Sequence, residues 1–260
     1  MVKSFRELMR RGEKLIGTFM MTDSLEVLEI LGEGGFEFVV IDEEHGGLQD
    51  VCYSNLVRTA EAAGVIPIFR TPGLVEDSVK RALDAGASGV MIPNVSSADD
   101  ARMAVSLSKF PPIGHRGACP YVRANHYGEG DKQAYFRKSN EEVALILLVE
   151  GPEGVANFDE ILEVEGVDAV FFGPFDLSVA MGIPGEIDDP RVVEAIRTMI
   201  HKANAKGVFA GMLGVDAAAT QRWIQEGADF ILVMQDTLLL LKACKDILAE
   251  IKAAAPAKAE

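Results

Sequence analysis

Eight short apolar segments recur along the chain, and amphipathic stretches separate them. Each segment is apolar along its whole length, which is the pattern of parallel strands covered on both faces. The stretches between them show the three-to-four-residue spacing of surface helices. The candidate strands are residues 15–21, 38–41, 65–69, 89–92, 144–149, 169–172, 208–212 and 230–234, and the candidate helices are residues 24–31, 56–63, 75–85, 98–108, 157–163, 192–205, 217–226 and 238–251.

Glycine follows five of the candidate helices and precedes a strand, at Gly64, Gly86, Gly166, Gly207 and Gly227. Glycine accommodates the left-handed conformation that ends many helices. Strand and helix alternate eight times, which favours a closed (β/α)8 TIM barrel over an open sheet. Because such a barrel takes roughly 250 residues, we expect one domain over residues 1–252 and a flexible tail, rich in Ala and Lys, over residues 253–260.

The composition argues against several kinds of partner. The formal net charge is −15, which repels nucleic acid and anionic lipid. The apolar runs fall short of the roughly 18 residues that span a membrane, and residues 1–11 lack the apolar centre of a secretory signal. The three cysteines form no CxxC pair, so neither a zinc site nor a disulfide framework is indicated. We therefore expect a cytoplasmic protein that binds small molecules, with neither nucleic acid nor membrane as partner.

Polar residues follow the candidate strands at the points where these end. The active site of a TIM barrel lies at the C-terminal ends of its strands, so these side chains should gather at one mouth. A buried strand that ends on a charged group suggests a ligand or a metal ion there. The set consists of Asp42 and His45 after strand two, Arg70 after strand three, Glu150 after strand five and Asp176 after strand six.

Glu150 and Asp176 are the candidate metal ligands. Mg²⁺ prefers octahedral oxygen coordination and usually takes one or two protein carboxylates. Water and a chelating 2-oxo acid would complete the coordination, and the metal would stabilise the enolate formed when C3 loses a proton. Oxygen ligands accept Mg²⁺, Mn²⁺ and Co²⁺ alike, so the sequence predicts a divalent metal ion without selecting one.

Arg70 and His45 complete the predicted chemistry. The planar guanidinium of Arg70 suits the carboxylate or the keto oxygen of the substrate. A turn after Asp42 would let its carboxylate orient the imidazole of His45 as a general acid and base. Metal ligation by His45, or a simple surface turn, is the alternative. Because no lysine ends a candidate strand, a Schiff base mechanism is disfavoured.

These residues also carry a family resemblance. Residues 35–46 read GFEFVVIDEEHG, residues 69–72 FRTP, residues 83–87 LDAGA, residues 111–117 PPIGHRG and residues 173–178 GPFDLS. The chain thereby resembles the HpcH/HpaI aldolases, class II enzymes with a pyruvate-type TIM barrel, such as 4-hydroxy-2-oxo-heptanedioate and 2-keto-3-deoxy-sugar-acid aldolases. The resemblance implies a lyase that cleaves a 4-hydroxy-2-oxo acid reversibly into pyruvate, or a related 2-oxo acid, and an aldehyde. It implies metal ligands at Glu150 and Asp176, an acid/base dyad of His45 and Asp42, and enolate stabilisation by Arg70.

The resemblance also suggests which residues line the substrate pocket. The predicted contacts are Phe19, Arg70, Gly173, Pro174, Phe175, Asp176 and Met212. Well-studied members carry glutamine where this chain has Leu148, two residues before Glu150 and so on the same face of the strand. They also tend to have tryptophan near Phe19, and threonine or serine at Gly151. These departures concern the substrate and not the reaction class.

Residues 110–139 interrupt the alternation of strands and helices. This segment is polar and contains Arg116 and Arg123, which suit an anionic substrate tail. We hypothesise that the segment, together with Asp84, reaches the mouth of a neighbouring subunit. The alternative is that it covers the bottom of the barrel or an interface. The resemblance implies a homo-oligomer, a hexamer or a trimer, with helices exchanged between neighbours.

Two other functions are compatible with such a barrel. A malyl-CoA or citramalyl-CoA type carbon–carbon lyase would share the fold and the metal carboxylates. It should also present a basic patch to the CoA phosphates, and the sequence shows no cluster of lysine and arginine near the mouth. The barrel could also be a non-catalytic subunit, but the intact set of charged residues argues against that.

Overall fold

The computed structural model describes residues 4–47 and 52–254. Its eight strands are all parallel and pair in chain order into a closed barrel, β8 joining β1. The strands are β1 (Leu15–Met20), β2 (Phe38–Asp42), β3 (Ile66–Arg70), β4 (Gly89–Ile92), β5 (Ala144–Val149), β6 (Ala169–Phe172), β7 (Phe209–Gly214) and β8 (Phe230–Gln235). The predicted (β/α)8 barrel is confirmed, and the strand ends differ from the predicted ones by two residues or fewer.

Helices surround the barrel or close its ends. They are α1 (Phe5–Arg10), α2 (Leu25–Glu33), α3 (Tyr53–Ala63), α4 (Glu76–Ala85), α5 (Ala98–Ser108), α6 (Lys132–Glu142), α7 (Pro152–Ala156), α8 (Phe158–Leu162), α9 (Pro174–Ala180), α10 (Pro190–Ala205), α11 (Ala217–Gln225) and α12 (Asp236–Ala254). Helices α1, α6, α7 and α9 were not predicted. The segment at residues 110–139 contains most of α6 and a short 3-10 stretch, Arg123–Gly128.

The core has two layers, which follow from the alternation of side chains along each strand. Inward-facing residues such as Val40, Leu148 and Phe171 form the barrel interior. Outward-facing residues such as Ile41 and Phe172 pack against the helices. Helix α1 contributes Phe5, Leu8 and Met9 to the inner layer. It therefore fills the N-terminal end of the barrel and leaves the C-terminal end as the open mouth.

Helix α12 differs from the other long helices because almost none of it is covered. Asp236 at its first position is its one buried residue, and its carboxylate accepts hydrogen bonds from the backbone N–H groups of Met21 (2.9 Å) and Thr22 (3.1 Å). Its apolar side chains are exposed, Leu240 to 65% and Ile251 to 59%. The helix continues to Ala254, within the tail predicted at residues 253–260, and residues 255–260 lie outside the described part of the chain. Within the described ranges no helix has both the length and the apolar character that crossing a membrane requires.

Candidate active site

Asp42 and Arg70 form an ion pair at the ends of β2 and β3. The two strands pair in register, so these residues are direct neighbours across the sheet. Nε of Arg70 donates to Oδ1 of Asp42 at 2.8 Å, and a second guanidinium nitrogen donates to Oδ2. Asp42 is fully buried. The guanidinium carbon also lies 4.7 Å from the centre of the Phe19 ring. Arg70 is thus fixed with its plane at the floor of the mouth.

The turn after β2 departs from the predicted dyad. Oδ1 of Asp42 accepts the backbone N–H groups of Glu44 (3.0 Å) and His45 (3.3 Å). The backbone and Arg70 therefore occupy the oxygens of Asp42, and the predicted contact between this carboxylate and the imidazole is not formed. The imidazole is two-thirds exposed and lies 3.8 Å from Glu44, Nε2 to Oε2. A general acid at the mouth needs access to substrate, and the exposed ring has it.

Glu150 and Asp176 converge on one point beside Gly173. Glu150 follows β5 and is buried, whereas Asp176 is exposed in the first turn of α9. A Cβ atom added to Gly173 would lie 2.8 Å from Oε2 of Glu150 and 3.5 Å from Oδ2 of Asp176. Gly173 thus leaves open the space toward which both carboxylates point.

The chemistry of these two donors fits a hard divalent cation. Burial raises the pKa of Glu150 to about 7, and the negative charges of Asp176 and Glu44 add to this, although the N–H of Asn94 opposes it. A buried carboxylate beside a second carboxylate calls for positive charge. Among the described residues no group of three or more His, Cys, Asp or Glu could hold a metal. Two carboxylates, with water and substrate as the other ligands, are a usual set for Mg²⁺.

Glu44 and Asn94 lie between the Asp42–Arg70 pair and the two candidate metal ligands. Neither of them was predicted from the sequence as a site residue. Oε2 of Glu44 lies 3.2 Å from a guanidinium nitrogen of Arg70. The side-chain amide of Asn94 donates to Oε1 of Glu44 at 3.0 Å, and its backbone N–H donates to Oε1 of Glu150 at 3.1 Å. Both residues follow strand ends, which is the signal that could have identified them. Their contacts connect the Asp42–Arg70 pair to the two candidate metal ligands.

The predicted pocket residues divide between the two layers of the core. Phe19 faces the interior, where its ring packs edge-on against Phe171 with centroids 6.1 Å apart, and Leu148 lies in the same layer. Pro174 and Phe175 begin α9 beside the site, and Phe175 is exposed.

Met212 is a correction to the predicted pocket. It is buried in the outer layer between the barrel and the helices, because alternation along β7 turns it away from the interior. Its neighbour Leu213 packs against the inner layer instead. Met212 is therefore not among the substrate contacts that we propose.

Asp84, Arg116 and Arg123 lie apart from this cluster within one chain. Arg116 donates to Oδ1 of Asp84 at 2.7 Å. Arg123 pairs with Glu61 and donates to the carbonyl oxygen of Ala85 at 2.8 Å. These contacts lie at the C-terminal ends of α3 and α4, which is the face of the barrel opposite the mouth. Within one subunit the segment covers the barrel bottom, and its contact with another subunit's mouth stays a prediction.

Known proteins resemble the chain over most of its length. The family model described as HpcH/HpaI aldolase/citrate lyase matches residues 15–243. A 2-keto-3-deoxy-L-rhamnonate aldolase of Salmonella paratyphi B is 37% identical over 251 residues, which cover 95% of this chain and 92% of the relative.

Two solved structures share the fold. An HpcH/HpaI aldolase from Desulfitobacterium hafniense DCB-2 superposes with a TM-score of 0.91 at 31% identity, covering 99% of this chain and 100% of that one. The citrate synthase SbnG superposes with a TM-score of 0.88 at 28% identity, covering 96% and 98%. Divalent-metal dependence is the norm of the family. The chain belongs to the HpcH/HpaI aldolase/citrate lyase family and is, as the sequence predicted, a carbon–carbon lyase of the aldolase class.

Proposed function

We propose that this enzyme cleaves a 4-hydroxy-2-oxo acid reversibly into pyruvate, or a related 2-oxo acid, and an aldehyde. The observation that carries the proposal is the convergence of the Glu150 and Asp176 oxygens on the space beside Gly173, with Arg70 fixed in the same mouth. The 2-keto-3-deoxy-L-rhamnonate aldolase at 37% identity supports a substrate of the deoxy-sugar-acid class.

Glu150 and Asp176 would hold the cation, which is Mg²⁺, Mn²⁺ or Co²⁺ on the chemistry of oxygen ligands. When bound, the cation supplies Lewis-acid stabilisation of the negative charge that develops on the keto oxygen. Arg70 binds the same oxygen or the carboxylate through guanidinium N–H groups that Asp42 and Glu44 leave free. Because Asp42 and Glu44 already fix the guanidinium, little reorganisation is needed during the reaction.

His45 is the proposed acid and base. In the cleavage direction it accepts the proton of the C4 hydroxyl while the C3–C4 bond breaks and the aldehyde forms. The electron pair of that bond becomes the enolate of pyruvate, and a proton returned to C3 completes the product. The imidazole is exposed at the mouth and can reach substrate there. Oε2 of Glu44 lies 3.8 Å from its Nε2 atom.

The inner layer shapes the pocket below the metal site. Leu148 and Phe19 present apolar surface next to Glu150 and Arg70. Pro174 and Phe175 would line the side of the pocket at the start of α9. An apolar floor favours the methyl or methylene carbon of the 2-oxo acid over a hydroxylated one, so pyruvate should be preferred to hydroxypyruvate as donor.

The enzyme should be a cytoplasmic homo-oligomer. Its free cysteines, Cys52, Cys119 and Cys244, are all exposed, which suits a reducing compartment. The uncovered apolar face of α12 would pack on a second copy of the chain, as expected when helices are exchanged between subunits. Such an assembly could bring Asp84, Arg116 and Arg123 of one subunit to the mouth of another.

An aldehyde panel tests the proposed reaction. Metal-loaded enzyme is incubated with pyruvate or hydroxypyruvate and a series of hydroxyaldehydes, and the products are identified by mass spectrometry. We expect adducts of the donor and the aldehyde with the wild type and none with Glu150→Gln. Absence of any adduct, or equal yields from both proteins, would refute the proposal. A parallel incubation with acetyl-CoA and glyoxylate that gives an adduct, while the pyruvate panel gives none, would support the malyl-CoA type of lyase instead.

A further inference from the structure

Asn94 adopts a backbone conformation that most side chains avoid. It lies two residues beyond the end of β4, after Pro93, with a φ of 56°. The left-handed region is disfavoured for residues with a Cβ atom, and asparagine tolerates it better than most. The conformation is therefore held in place by the contacts that Asn94 makes.

The backbone of Asn94 fixes one oxygen of Glu150. Its N–H donates to Oε1 at 3.1 Å, while the N–H of the next residue, Val95, donates to the carbonyl oxygen of Leu148 on β5 at 3.1 Å. With Oε1 occupied, Oε2 of Glu150 is the oxygen that faces the space beside Gly173. The left-handed turn thus determines which oxygen of Glu150 is presented to a cation.

The side chain of Asn94 fixes the other half of the site. Its amide donates to Oε1 of Glu44 at 3.0 Å. Oε2 of Glu44 lies 3.2 Å from a guanidinium nitrogen of Arg70, and that oxygen is buried without a hydrogen-bond partner of its own. Without the amide, only the ion contact with Arg70 would hold Glu44, so the support that Glu44 gives to the guanidinium would be weaker.

We propose that Asn94 is a positioning residue that sets the metal carboxylate Glu150 through its backbone and the anion-binding Arg70 through its side chain. The inference rests on the proposed function. Two substitutions separate the backbone role of Asn94 from its side-chain role. Glycine keeps the left-handed turn and the backbone N–H but has no side-chain amide. Alanine lacks the amide as well and also disfavours the turn.

The test compares Asn94→Gly with Asn94→Ala. The readouts are the dissociation constant of Mn²⁺, from electron paramagnetic resonance, and the KM and kcat of pyruvate C3 exchange. For Asn94→Gly we expect the KM for pyruvate to rise about three- to tenfold, as for loss of one hydrogen bond, with Mn²⁺ affinity within about twofold of the wild type. For Asn94→Ala we expect Mn²⁺ to bind about three- to tenfold more weakly in addition, because the turn is strained. Asn204→Ala removes a hydrogen bond from the side-chain amide to the carbonyl oxygen of Gly227 on the opposite face, and it should change neither the Mn²⁺ affinity nor the KM.

A second measurement does not depend on metal or activity. In the metal-free protein, the shifts in melting temperature of Asn94→Gly and Glu44→Gln should be non-additive in the double variant, since the two residues share one contact. Equal Mn²⁺ affinities of the Gly and Ala variants, an unchanged KM, or additive melting shifts would each overturn the inference. A wild type that neither binds Mn²⁺ nor exchanges pyruvate would refute the proposed function, while non-additive shifts would still show the Asn94–Glu44 contact.

Discussion

At the scale of single residues, the mouth is organised by how buried charges are compensated. Asp42 is fully buried and accepts from the guanidinium of Arg70 and from two backbone N–H groups. Removing Arg70 would therefore leave the buried carboxylate of Asp42 without its charged partner, whether or not a substrate is bound. The strand ends predicted that these residues would meet. Which residue pairs with the Asp42 carboxylate was not predictable, because Asp42 can reach both Arg70 and His45 from the end of β2.

Glu43 gives a prediction for the dependence of stability on pH. Burial raises its pKa to about 7, although the hydrogen bond from Tyr53, the side chain of Ser78 and the charge of Arg81 oppose the shift. An unfolded glutamate ionises near 4.3, so between that pH and about 7 the folded chain holds a proton that the unfolded chain has lost. Stability contributed by this group is therefore present at low pH and is lost as pH rises through this window.

The variant Glu43→Gln removes this titration and keeps an acceptor for the Tyr53 hydroxyl, which lies 3.0 Å from Glu43. Its melting temperature relative to the wild type should rise between about pH 4.5 and pH 7 and level off above that. Glu29→Gln, on the exposed side of α2, serves as a control that should show no such trend. A constant difference between Glu43→Gln and the wild type across the range would contradict the assignment.

At the scale of secondary structure, glycines in the strands make room for rings in the barrel interior. A Cβ atom on Gly211 of β7 would lie 2.1 Å from Cζ of Phe230 on β8. The ring cannot move freely because it packs on Phe5 and Phe38, with centroids 5.3 Å and 6.0 Å away. Glycine is thus needed at position 211 because the Phe230 ring of the neighbouring strand occupies the space of a side chain.

Gly211→Ala should lower the free energy of unfolding by about 1–3 kcal/mol, the usual cost of overpacking a filled core. Urea denaturation followed by circular dichroism measures this. Gly117→Ala is the matched control, because Gly117 has no atom within 4 Å of an added Cβ and does not have a positive φ. The account of the barrel interior would be wrong if both variants were as stable as the wild type.

The sequence predicted the strands better than it predicted the short helices. It also did not predict which strand side chains point into the barrel. The barrel strands are continuous apolar runs, and such runs do not reveal which residues point inward. Met212 was assigned to the wrong layer for this reason. Helix α1 has six residues and α9 has seven, so neither is long enough to display a helical period.

At the scale of the whole molecule, α12 carries the surface on which the proposed self-association depends. Its exposed apolar residues include Leu238, Leu240, Leu241, Ile247, Leu248 and Ile251. An exposed apolar surface on this scale marks an interaction site. The periodicity of the sequence predicts this helix, but periodicity does not show whether its apolar face packs on its own barrel or on another copy.

The double variant Leu240→Glu with Ile251→Glu should weaken self-association, because it places charges in the proposed interface. Sedimentation equilibrium should show an oligomer for the wild type and a smaller species for the variant. Lys245→Glu with Lys252→Glu, two changes on the same helix, should leave the oligomer intact. A monomeric wild type at micromolar concentration would rule out assembly through α12.

Exchange of the C3 protons of pyruvate in deuterated water tests the central claim most directly, because it requires the enolate but no aldehyde. The account predicts that wild-type enzyme loaded with Mg²⁺ or Mn²⁺ removes the methyl signal of pyruvate from the proton NMR spectrum. It also predicts that metal-free enzyme and Glu150→Gln do not. No exchange by metal-loaded wild type, or exchange at the same rate by Glu150→Gln, would contradict it.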